Sequence, residues 1–404
     1  MSRRDLAGLI LASTLITLDG TATNIALPAI GHDLSAPVSR LQWIANAPLL
    51  ILAAALLPAG TVGDRFGHLR VLRTGVVLFV AASLVCCAAG SDTVIIIGKF
   101  GQGAGGALVL PTVLAVLRRA YDDPVERTRI FGVWAAWTGM AGAAGPLLAG
   151  VLVDVVSWRS VFVMSIVLGI SALMLLVNRS FETLDRPSRA APTAAAVFSC
   201  LVRTRNCRRA NLTDFALYFG LFGVSFLLAL YLQQVQHYSA TSAAAILLPL
   251  SAMLLLAERF GRLTSSIGTR WVVLGGVIVA AAGAAWIGSA PHPVPLWSHI
   301  ILGNALVGLG VSLTVPALTH VAVAGVPEEY AGAASGLNHA VVRAAGLFAI
   351  ALLGWVAAPG RSPLISADGF QHAMLLCAAV VGVGGLAGSL RLRDDEPGGV
   401  ESED

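Results

Sequence analysis

Charge is scarce in this sequence. Only 12% of its 404 residues are Asp, Glu, Lys or Arg, against 56% hydrophobic, and the mean hydropathy is +0.80. Soluble domains carry about 25% charged residues, and half that density cannot coat a globular surface in water. Lysine is nearly missing: Lys99 stands alone beside 25 arginines. Cysteine is sparse as well. Cys86, Cys87, Cys200, Cys207 and Cys377 have no metal-ligand spacing, which argues against a metal site and a disulfide framework. No Walker motif, nucleophile elbow or metal-ligand cluster occurs, so neither direct drive by ATP nor an enzyme is expected. A net charge of +4 is too small to argue for a nucleic-acid partner.

What is present is a series of apolar runs. A bilayer crossing needs about 20 mostly apolar residues. Such runs fall at 7–30, 41–62, 71–90, 94–117, 129–154, 160–178, 211–236, 241–263, 270–289, 297–324, 330–358 and 370–391. Gly and Ala are abundant in them, as close helix–helix approach in lipid requires. With the N-terminus placed in the cytoplasm, twenty-one arginines fall on the inner side, and Arg40, Arg159 and Arg361 fall outside. That bias predicts an even number of spans with both termini cytoplasmic. Ser2-Arg3-Arg4 resembles a twin-arginine leader, but no convincing cleavage site follows, and the arginines read as the anchor of the first span.

The chain divides into an N-terminal bundle of six spans (1–178), a basic cytoplasmic linker (179–210), a second bundle of six (211–391) and an acidic tail (392–404). The two bundles repeat one another. Gly60 and Gly67 after the second span match Gly261 and Gly268 after the eighth, with Pro48 and Pro249 ahead by the same interval. Gly103, Gly105 and Pro111 in the fourth span match Gly308, Gly310 and Pro316 in the tenth at identical spacing. The expected fold is an all-α membrane protein of twelve transmembrane helices in two pseudo-symmetric six-helix bundles.

Asp19 is the most informative residue. A carboxylate in mid-span is expensive unless it faces a partner or a cavity, so it marks a functional site by default. The alternative is a neutral acid that only hydrogen-bonds neighbouring helices. Lys99 lies near the start of the fourth span. It either pairs with Asp19 or snorkels to the interface.

Several motifs carry a family resemblance. Gly60-x-x-x-Asp64-Arg65-x-Gly67-x-x-Arg70 resembles the loop signature between spans two and three of major facilitator transporters, with His68 and Leu69 where basic residues are usual. Leu18-Asp19-Gly20-Thr21-x-x-Asn24 and Trp158-Arg159 resemble the multidrug drug:proton antiporter branch, which usually has fourteen helices. Ser165 and Val167 replace the Asn and Pro usual there. Lys99-x-x-Gln102-Gly103-x-Gly105-Gly106 is similar to the proton-coupling motif, with Lys in place of the usual Arg. Gly142-x-x-Gly145-Pro146-x-x-Ala149-Gly150 resembles the antiporter signature of exporters.

The resemblance implies a proton-coupled antiporter that exports small lipophilic compounds (drugs, antibiotics or secondary metabolites) by alternating access. Asp19 and Lys99 would couple protons, and Gly60, Asp64, Arg65, Gly67 and Arg70 would form a conformational gate. Asn24, Gln102, Trp137, Asn338 and Arg343 are the candidate cavity residues. A proton gradient replaces any cofactor, and lipids, protons and the substrate are the expected partners of a monomer in the inner cell membrane. An importer or uniporter of a metabolite, or a non-transporting receptor, stays open as the alternative.

Overall fold

The structure is a computed structural model that describes residues 3–121, 123–176, 204–260, 266–291, 294–324, 331–359, 362, 364–390 and 392. Most of the expected linker and nearly all of the acidic tail lie outside the described residues. Among the described residues the elements are helical. In order they are α1 Arg3–Asp33, α2 Val38–Phe66, α3 His68–Cys87, α4 Asp92–Ala120, α5 Pro124–Val155 and α6 Arg159–Leu176. Then come α7 Arg205–Leu230 with a π-turn over Tyr231–Val235, α8 Ala240–Leu254 followed by a helical turn over Ala257–Phe260, and α9 Thr269–Gly288. Last are α10 Leu302–Ala324 entered by a π-turn over Leu296–Ile301, α11 Ala331–Ala357 and α12 Ala367–Ser389. Eleven of the described helices are long and apolar enough to cross a membrane, and α8 is a shorter apolar helix.

The helix starts follow local chemistry. The Ser91 side chain accepts from Val94 N to cap α4, Asp123 accepts from Val125 N and Glu126 N ahead of Pro124 in α5, and Ser366 accepts from Gly369 N in α12. No loop separates α2 from α3. Gly67 alone turns the chain, at φ 93°, and Gly268 does the same ahead of α9 at φ 91°. A side chain at such a φ clashes with its own backbone, which is why glycine stands at both junctions. The duplication seen in the sequence is thus repeated in backbone geometry.

The chain forms two compact units. One comprises Met1–Arg189, Leu228–Leu248 and Gly360–Ile365, and the other Ala190–Leu227, Pro249–Pro359 and Ser366–Asp404. The first therefore takes in the last turn of α7 and much of α8. Its core is apolar, built by Leu9 and Leu15 of α1, Leu72, Val76 and Phe79 of α3, Val113 of α4 and Leu176 of α6. Here α3 packs on α4 through Gly75 and Gly105, each lying against the other's carbonyl. In the second unit α9 packs on α10 through Gly276 and Gly310 in the same manner. Many large apolar side chains point outward, among them Val77, Ile97, Met174, Trp271, Trp297, Trp355 and Val383. Water would not tolerate that surface, and lipid does.

Candidate functional site

Asp19 sits sixteen residues into α1, at its middle, and is 3% exposed. Two neighbouring helices meet its carboxylate. Lys99 Nζ of α4 donates to Oδ2 at 2.7 Å, Gln102 Nε2 of α4 donates to Oδ1 at 3.0 Å, and Ser165 Oγ of α6 donates to Oδ1 at 2.9 Å. Lys99 also reaches Thr23 Oγ1 at 3.0 Å, and its ammonium lies 5.7 Å from the centre of the Phe162 ring. Gln102 Nε2 donates further to Ser83 Oγ of α3 at 2.8 Å, and Ser83 Oγ donates its own hydrogen bond to Phe79 O. A single network therefore joins α1, α3, α4 and α6.

Helical spacing prepares this arrangement. Thr23 follows Asp19 by four residues and Gln102 follows Lys99 by three, so each pair shares a helix face. Lys99 is 1% exposed and paired, so the snorkelling alternative is not what the structure adopts. Two charges removed from water are tolerated only when they compensate each other closely, and here they do so at contact distance. Gln102 Oε1 is buried and has no donor. A buried acceptor left empty beside a carboxylate is the one unsatisfied feature of the network.

The other expected residues are distributed as follows. Asn24 is half-buried on α1, and Trp137 on α5 is 54% exposed and outside the network. Asn338 and Arg343 lie on α11 in the second unit, where Asn338 Nδ2 donates to Asp214 at 2.6 Å and to Asn211 at 3.2 Å. Of the gate motif, Gly67 makes the turn, Arg65 stacks on Phe66 at 5.4 Å and Arg70 is exposed. The surroundings of Gly60 and Asp64 lie outside the described residues, although both fall within α2. Gly142 and Gly145 of α5 pack against Thr17 and Thr21 of α1, on the helix that carries Asp19. Gly150 packs against Ala240 and Thr241 at the start of α8. Pro146 falls between those contacts.

Sequence reasoning missed Thr23 and Ser83, and read Ser165 only as a departure from a motif. It also missed Asp214 and Asn211, which stand at the edge of the expected seventh span rather than in mid-span. Asp154 was missed too. Its Oδ1 accepts from Ala240 N at 3.0 Å and its Oδ2 from Thr241 N at 2.8 Å.

Comparison with known proteins bears on the whole chain. The family model described as Major Facilitator Superfamily matches residues 9–351. A methylenomycin A resistance protein of Bacillus subtilis (strain 168) is 27% identical, over 91% of this chain and 92% of that protein. A tetracenomycin C resistance and export protein of Streptomyces glaucescens is 29% identical, over 84% of this chain and 73% of that protein. Among solved structures, a bacterial homologue of the human lysosomal transporter Spinster, inward-facing and unoccupied, superposes with a TM-score of 0.75 at 16% identity. It covers 96% of this chain and 97% of its own, which is a likeness of fold.

Proposed function

This chain belongs to the Major Facilitator Superfamily, a multi-pass membrane transporter and not an enzyme, and from that premise we propose that it exports small lipophilic compounds in exchange for protons. The observation that carries the reading is the Asp19 carboxylate, buried in an apolar bundle against Lys99, Gln102 and Ser165. Export is favoured by the names of the relatives, a resistance protein and a resistance and export protein. Gly142 and Gly145 of the antiporter-like run pack directly on the Asp19 helix, and this supports the same direction.

The proposed chemistry uses groups already in contact. While Asp19 is ionised it accepts from Lys99, Gln102 and Ser165. A proton arriving on Asp19 turns Oδ1 from acceptor into donor. The Gln102 carboxamide then rotates so that Oε1 accepts the new O–H. This fills the empty acceptor and frees Nε2 from Asp19. Lys99 loses its counter-ion and keeps Thr23. Four helices are tied to this carboxyl group, so a change of its charge reaches all of them. Proton and substrate compete for the same state of the bundle, and inward protons thereby drive substrate outward. The N- and C-termini are placed in the cytoplasm in this reading, and lipophilic substrate enters from the inner side.

The test is export of a fluorescent lipophilic cation in inverted vesicles, with and without an imposed proton gradient. Wild type should transport only with the gradient. Asp19→Asn and Lys99→Gln should lose the gradient response, while Lys99→Arg, which keeps the charge, retains much of it. Gradient-driven transport at the wild-type rate in Asp19→Asn would exclude the proposed coupling.

A further inference from the structure

We propose that Asp214, on α7 in the second compact unit, is a second proton-binding carboxyl group of this protein, separate from Asp19. The binding site itself stands on the geometry below, and only its place in an export cycle rests on the antiport reading.

Asp214 lies nine residues into α7, about 14 Å along the helix axis from its start, and is 2% exposed. Its surroundings differ in kind from those of Asp19. Oδ2 accepts from Asn338 Nδ2 of α11 at 2.6 Å, and this is a neutral donor. Asn338 is held in place by the same amide group, which donates to Asn211 Oδ1 at 3.2 Å. Asn211 in turn spends its own amide on Cys207 O at 2.8 Å, one turn back on α7. The two carboxamides therefore form a fixed chain that ends with one N–H aimed at Asp214. Among the described residues no arginine or lysine lies within ion-pair distance of it.

The groups that face Asp214 can be named element by element. On α7, Tyr218 is one turn on and within electrostatic reach of both Asp214 and Arg343. On α11, Arg343 acts on Tyr218 and on His339, which follows Asn338 directly. On the other flank α12 packs against α7 through Val381, Gly384 and Gly388, with Cys377 as its one titratable group there. Phe215 and Phe348 close on each other at 6.0 Å beside the site.

An ionised carboxylate withdrawn from water needs a cation or several hydrogen bonds. Asp19 has one cation and two neutral donors, whereas Asp214 has a single carboxamide. A bound proton meets the deficit at its source. With the proton on Oδ1, Oδ2 continues to accept from Asn338, so the carboxamide chain serves both states without rearranging. In an export cycle, a second proton carried with the first would make substrate accumulation depend on the square of the proton gradient rather than its first power.

Infrared difference spectroscopy of the full-length protein in lipid, recorded across a pH titration, tests the site without requiring transport. Wild type should show a titrating carboxylic C=O band that is lost in Asp214→Asn and kept in Asp19→Asn. Asn338→Leu should retain the band at higher frequency, since one hydrogen bond to the carbonyl oxygen is gone. If Asp214→Asn does not fold, the Asn338→Leu shift decides the matter alone. A spectrum unchanged by both substitutions overturns the proposal, and so does a band that responds to sodium at fixed pH. If the band behaves as expected in a protein that exports nothing, the antiport reading falls and the site stands.

Discussion

At the scale of single residues, the Asp19–Lys99 pair is the most consequential contact in the first unit. Neutralised at 2.7 Å, it costs the bundle little, but either partner left alone is an uncompensated charge out of water. Removing one side of a buried pair typically destabilises by about 3–5 kcal/mol, while replacing both sides with neutral groups is close to neutral. Asp19→Asn and Lys99→Gln should therefore each lower thermal stability in detergent, and the double substitution should recover most of the loss while abolishing export. Additive losses in that double-mutant cycle would mean that the two groups do not compensate one another. Asp19, Lys99 and Gln102 were legible because charge and carboxamide stand out in an apolar run. Thr23, Ser83 and Ser165 were not. A hydroxyl in a membrane helix can satisfy itself on the carbonyl four residues back, as Ser83 does on Phe79 and Ser165 on Val161. Nothing local then separates a functional hydroxyl from an idle one. Asp214 escaped notice for a different reason. The seventh span was expected to begin at 211, which put Asp214 at the interface, but α7 begins at Arg205 and carries it inward.

At the scale of helices, packing is decided by which glycines have a backbone against them. Gly275 and Gly276 are neighbours on α9 with opposite surroundings. A Cβ on Gly276 would come 2.7 Å from Gly310 O, whereas one on Gly275 meets nothing within 4 Å. Gly276→Ala should push α9 from α10 and destabilise by about 1–3 kcal/mol, whereas Gly275→Ala should be neutral or stabilising by up to about 1 kcal/mol. Thermal denaturation of the two variants side by side checks this, and equal behaviour would contradict the packing described. Helix positions were readable because apolar length is nearly sufficient to define a membrane helix. Helix irregularities were not. The eighth span was expected as one run over 241–263, yet the helix is interrupted after Leu254 and resumes over Ala257–Phe260; at the break Met253 O accepts from Leu256 N at 3.0 Å and from Ser312 Oγ of α10 at 2.7 Å. The π-turn after Leu230 is equally silent in sequence. One extra residue in a run that is apolar all round leaves no shift of pattern to detect.

At the scale of the molecule, the repeat sets out one scheme of contacts twice. In the first unit α1 packs on α5 and α6, and α3 on α4 and α6. In the second, α7 meets α11 through Gly223 and Leu353 and meets α12 through Gly388 and Thr213, and α9 packs on α10 and α12. Each bundle is thus assembled from the same pairings, as the matched glycines of the sequence foretold. Asp154 lies outside that scheme. It ties the end of α5 to the first turn of α8 within the first unit. Its two carboxylate oxygens take the amides of Ala240 and Thr241, where the positive end of the helix dipole adds to the hydrogen bonds. Gly150, one turn earlier on α5, lets the α8 backbone approach that closely. Loss of such a cap costs about 1–2 kcal/mol, and that energy is concentrated on two amides. Asp154→Ala should therefore speed hydrogen exchange across residues 238–245 by about 5- to 30-fold, read by mass spectrometry of the peptide covering them. Exchange across α3 and α4, which make no contact with Asp154 among those described, should be unchanged. An unaltered rate at 238–245 would show that Asp154 does not hold α8 in place. An increase shared by the whole first unit would show that the substitution loosens the bundle as a body, with the cap contributing nothing of its own.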